Sequence, residues 1–112
     1  MNLTEEGIQL KEVILSHDGE AKIYIVPDEV AGNLDKYCWD FAAEWVWHGP
    51  EKSRFLHEFG EGQFGVVFGA PDFIDYLNKW AFPEQHSQLI KGLGCYYYEV
   101  PEEYKHYPKY NF

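Results

Sequence analysis

Between Pro27 and His48 apolar residues recur every three or four positions, and that spacing predicts one long helix. Val30, Leu34, Tyr37, Cys38, Phe41 and Trp45 fall on one stripe, with Ala31 and Ala42 at its edge. Glu29, Asn33, Lys36, Asp40 and Glu44 line the opposite side. Trp39, Ala43, Val46 and Trp47 form a second apolar seam on that outer arc. Such a seam is either sandwiched between two layers or offered to a partner. Asp28 and Glu29 suit the positive helix start, Gly32 and Asn33 weaken the first turns, and Gly49-Pro50 ends the helix.

On either side of this helix the period shortens to two. Ile8 to Val26 predicts a β-hairpin turning at Asp18-Gly19, with a bulge near Glu12 where the alternation slips. Ser53 to Phe59 and Gln63 to Gly69 predict a second hairpin around Gly60-Glu61-Gly62. Pro71 to Phe82 predicts a short helix with Phe73, Leu77 and Trp80 on its apolar stripe and Pro83 as its stop. Glu84 to Lys91 predicts one or two further helical turns, and Cys95 to Val100 a strand. Pro101 and Pro108 exclude a regular strand or helix through the tail, whose Tyr104, Tyr107, Tyr110 and Phe112 must pack along the domain. The expected fold class is α+β, a single domain over residues 1–112. It is a two-layer domain, an antiparallel sheet of about five strands packed against one long helix and a shorter second helix.

Composition narrows the function. Nineteen acidic against nine basic residues leave a net charge of −10. That balance disfavours nucleic acid, whose phosphates need clustered Lys and Arg, and suits a basic partner. No apolar run is long enough to span a membrane. The acidic N-terminus MNLTEEGIQLKE lacks the pattern of a secretory signal, so a cytoplasmic location is the expectation. Cys38 and Cys95 stand apart, without CxxC or Cys/His ligand spacing, and are expected as free thiols with no metal and no cofactor.

Catalysis finds little footing. The five histidines are scattered. Glu58 and Glu61 flank a Gly-rich turn better explained by solvation than by acid/base work, and GEGQFG lacks the Lys of a phosphate-cradling loop. The stronger signal is aromatic and acidic together. Trp39 and Trp47 beside Asp40 and Glu44 have the form of aromatic anchors inside an acidic rim. Glu58, Glu61, Glu102 and Glu103 add carboxylates that the few cations cannot all pair. Such carboxylates steer cationic partners.

The closing stretch Pro101-Glu102-Glu103-Tyr104 to Tyr107-Pro108-Lys109-Tyr110-Asn111-Phe112, on a small acidic aromatic-rich domain, resembles the immunity proteins of bacterial polymorphic toxins and contact-dependent growth inhibition systems. Members of that group differ widely in fold, so the resemblance implies function rather than architecture. It implies a non-enzymatic inhibitor that binds a cognate basic toxin, often a nuclease, and occludes its active site. The candidate partner-binding residues are Trp39, Asp40, Glu44, Trp47, Glu58, Glu61, Glu102 and Glu103, on a monomer or weak dimer. The alternative is a small-ligand or carbohydrate-binding module, which an exposed aromatic row such as Tyr96 and Tyr98 would favour.

Overall fold

Val13, Ile14, Leu15 and Ser16 are consecutive and all buried in the computed structural model, which describes residues 9–112. Successive strand residues point to opposite faces, so their strand, β1 (Leu10–Ser16), is covered on both sides. β1 pairs antiparallel with β2 (Glu20–Pro27), in unbroken register from Leu10 opposite Pro27 to Leu15 opposite Lys22. The bulge expected near Glu12 is therefore absent, and Ile8 lies outside the described residues. Gly19 takes φ +94° in the turn, where Ser16 Oγ accepts its N–H at 2.9 Å. A side chain there would strain the backbone.

Two short helical pieces replace the first half of the single long helix. α1 (Asp28–Gly32) ends at Asn33, whose φ of −137° is not helical and whose side-chain amide donates to the Glu29 carbonyl at 3.1 Å. Gly32 and Asn33 are poor helix formers, and the break falls on them. α2 (Leu34–Asp40) then runs through a π-helical turn, Phe41–Trp45, into α3 (Val46–His48). α4 (Lys52–Phe55) occupies residues expected to open a strand, because a helical turn lets Phe55 reach the core and Arg54 reach Asp72 at 3.0 Å. The second hairpin, β3 (Leu56–Gly60) with β4 (Gln63–Val66), pairs as expected but stands apart as its own two-stranded sheet. α5 (Ala70–Tyr76) follows and continues through a second π-helical turn, Leu77–Ala81.

The remaining departures complete the main sheet. Residues expected to be helical instead begin β5 (Gln88–Tyr96), which pairs antiparallel with β2. Pairing with β2 overrides the local pattern, and register shifts between β2 and β5 absorb the misfit. The strand expected to reach Val100 stops at Tyr96 and gives way to a 3-10 turn, Tyr97–Glu99. Past the two prolines' reach the tail forms β6 (Lys109–Asn111), parallel to β1. The α+β class stands, but the sheet is four-stranded and mixed, in the order β5-β2-β1-β6, rather than five-stranded and antiparallel.

Two cores result. Val13, Leu15, Tyr24 and Val26 pack under the helices with Phe41, Phe55 and Phe73. Ile14, Ala21 and Ile23, on the other face, are covered by Val100, Tyr97, Tyr104 and Tyr107. The tail is thus a thin second cover over the sheet.

Candidate functional site

The first π-helical turn decides which side chains share a face. The amide of Val46 donates to the carbonyl of Phe41, five residues back rather than four. In an uninterrupted helix Val46 would lie over Trp39, because seven residues make about two turns. The widened turn holds later residues back by about one position. Val46 therefore comes round to the side of Cys38, and both are fully buried. This corrects the outer seam, which loses Val46 and keeps Trp39, Ala43 and Trp47 at four-residue intervals.

The same shift aligns Asp40, Glu44 and His48. These three line a groove of about 320 Å³ together with Trp45, Gly49 and Tyr76. Trp45 and Tyr76 are 5.0 Å apart between ring centroids, and Trp45 lies 5.7 Å from Trp80. Tyr76 and Trp80 come from α5 and the second π-helical turn, in which Phe82 N–H donates to the Leu77 carbonyl at 2.8 Å. Two widened turns thus meet at one aromatic cluster. Such turns occur frequently at functional sites.

Two carboxylates, Asp40 and Glu44, line the groove. Lys36 pairs with Asp40 at 2.9 Å, and that hydrogen bond holds the Lys36 ammonium above its ordinary pKa. Burial raises the Tyr76 phenol, with the Asp40 charge acting in the same direction. Glu44 has no cationic partner among the described residues. Carboxylates beside aromatic faces accept a guanidinium or ammonium by hydrogen bonding and stacking. Among the described residues no serine, threonine or cysteine lines the groove. Among the described residues no three of His, Cys, Asp and Glu are grouped to hold a metal.

Beside the groove Trp39 is 64% exposed and Trp47 37%. The tail does not cover them: Tyr110 and Phe112 pack into the helix-side core, and Tyr104 and Tyr107 lie across the sheet. The structure brings Asp40 and Glu44 together next to the two tryptophans, but it spreads the remaining acidic candidates. Glu58 accepts the Gly62 N–H at 3.2 Å in the β3–β4 turn, which also carries Glu61. Glu102 and Glu103 belong to a short 3-10 turn, Glu102–Tyr104, over the opposite sheet face, where Glu102 pairs with Lys105 at 3.2 Å. Trp45 packs against the core as its stripe predicts and also lines the groove, whereas the sequence pattern does not single out His48 or Tyr76 as site residues. The spacing Asp40-Glu44-His48 was the available signal.

A second, larger cavity of about 590 Å³ sits at the end of β5, lined by Asp18, Glu20, Gly94, Cys95, Tyr96 and Glu99. No described helix is long and apolar enough to cross a membrane. No family model matches the chain, and no curated protein or solved structure does either. The chemistry of these surfaces is therefore the ground for assigning a role.

Proposed function

We propose that the chain is a proteinaceous inhibitor of the immunity-protein kind, which binds a basic toxin and blocks its active site or substrate groove. The observation that carries this reading is the acidic groove of Asp40 and Glu44 over Trp45 and Tyr76, flanked by the exposed Trp39 and Trp47. Arg or Lys side chains that would otherwise meet substrate phosphates would enter the groove, and the tryptophans would supply the apolar anchor. A net charge of −10 would speed the encounter. A nuclease fits best as target, because its phosphate-binding surface carries the complementary charge. Affinity capture of the tagged protein from host lysate over a salt series tests this. One basic protein should be recovered, less of it as salt rises, and Asp40→Lys with Glu44→Lys should abolish recovery. Unchanged capture by that double variant would show the surface to be wrong.

A carbohydrate-binding role is the second reading. Tyr96 and Tyr98 are both exposed, and Tyr96 borders the larger cavity beside the carboxylates of Asp18, Glu20 and Glu99. Aromatic faces stack on sugars while carboxylates accept hydroxyl hydrogens. A thermal shift with a member of a glycan panel would favour it over the inhibitor.

A further inference from the structure

β5 is an edge strand of nine residues, and among the described residues nothing pairs with its outer side. An unpaired row of backbone N–H and C=O groups is a template for another strand. Natural edges are usually blunted by brevity, proline or charge. The far edge of this sheet, β6, is three residues long. β5 is long and contains no proline; its guards are one charged residue, Lys91, and the register shifts against β2. The Lys91 ammonium lies 6.0 Å from the Tyr104 ring centroid, drawn over the tail. Leu89 and Ile90 are exposed on it. The strand is also held in place at its start. Asn78 accepts the Ser87 N–H at 2.7 Å and donates to the Ser87 carbonyl at 2.9 Å, tying the residue before β5 to the second helix.

We infer that β5 pairs antiparallel with β5 of a second copy of this chain, joining two four-stranded sheets into one. Charge selects this occupant over a strand of a basic partner. β5 offers no carboxylate to such a strand, although the chain as a whole carries −10. Within an acidic molecule β5 itself is free of carboxylates, and Asp18, Glu20 and Glu99 stand beside its far end only. The surrounding carboxylates still repel at longer range, and that repulsion is screened by salt. Self-association through β5 therefore strengthens as salt rises, whereas capture of a basic partner at the Asp40–Glu44 groove weakens. The two surfaces are separable by the sign of one dependence.

The test is sedimentation equilibrium of the full chain over a salt series, with Ile90→Lys and Leu89→Lys as variants and circular dichroism as the check on folding. The expected result is a monomer–dimer equilibrium that tightens with salt, with Kd weakened by about tenfold or more in each folded variant. Hydrogen exchange gives an independent reading: β5 amides should gain protection with protein concentration. A chain that stays monomeric at high salt and high concentration overturns the inference. So does a dimer with unprotected β5 amides. Protection of β5 only on adding a captured basic protein assigns the edge to that partner and likewise overturns self-pairing.

Discussion

The amide of Val46 reaches the carbonyl of Phe41, and this five-residue hydrogen bond places a core residue and the Asp40–Glu44 groove on opposite sides of the same helix. A π-helical turn amounts to one extra residue in an α-helix. Removing Ala43 should therefore restore α-helical bonding while leaving Cys38 and Val46 both facing the core. Glu44 would then follow Asp40 by three residues, still a neighbouring position on the same helix face. The expected outcome is a folded protein of equal or higher stability by urea denaturation. A variant less stable than the parent would mean that the widened turn is itself needed to pack the helix.

Phe41 is the hub of the helix-side core. Its ring meets Tyr76 at 5.2 Å, Phe68 and Phe73 at 5.6 Å, Phe55 at 6.2 Å and Phe112 at 6.3 Å, and it is wholly buried. Phe41→Ala should cost about 3–5 kcal/mol in denaturant unfolding, since five rings from four separate stretches of the chain cannot all collapse into the void. Trp39→Ala, at a mostly exposed position, should change stability by less than about 0.5 kcal/mol. That contrast separates residues of the fold from candidates for binding.

Much of this was legible in the chain. Alternation and Asp18-Gly19 marked the β1–β2 hairpin, and Phe73, Leu77 and Pro83 marked the second helix. The stripe of Leu34, Cys38 and Phe41 faces the core as its spacing required. What stayed hidden is what only tertiary contacts decide. Gln88 to Lys91 reads as the end of a helical turn until the edge of β2 claims it as strand. Tyr110 in β6 and Phe112 just past it pack inward only because β1 lies beside them. The π-helical turn has no sequence signal of its own, so Val46 reads as outward from the spacing alone.

Asn78 holds the start of β5 with two hydrogen bonds to Ser87. Asn78→Ala leaves a buried residue's N–H and C=O without those partners, and should destabilise by about 1–3 kcal/mol. Hydrogen exchange should rise first along β5, whereas β1 amides should hold their protection. Uniform loss of protection would mean that the clamp supports the whole fold rather than the edge strand.

The two thiols should differ sharply. Cys38 is fully buried, and burial pushes its pKa well above the ordinary thiol range. Cys95 is partly exposed and lines the larger cavity. A thiol reagent should titrate one equivalent in the native protein and a second only on unfolding. Two fast equivalents would show that the helix opens over Cys38.

The alkaline limb of stability should follow the tyrosines. Tyr37 donates its hydroxyl to the Glu29 carboxylate, and this bond, with burial and the nearby negative charge, raises its pKa from 10.0 to about 12. Burial is the first cause of the rise at Tyr24 and Tyr76 as well. A phenol raised above its unfolded value of 10.0 stabilises the fold fully below that pH. The contribution is lost as pH climbs through the folded pKa, because the unfolded chain releases the proton more readily. Stability should therefore fall between pH 10 and about 12. Absorbance titration of phenolate should show part of the nine tyrosines ionising late, together with unfolding. Glu29→Gln should bring Tyr37 down toward its ordinary value and flatten the upper end of that fall. A Glu29→Gln profile that matches the parent's would place the alkaline limb on the other raised phenols, Tyr24, Tyr76, Tyr97, Tyr107 and Tyr110.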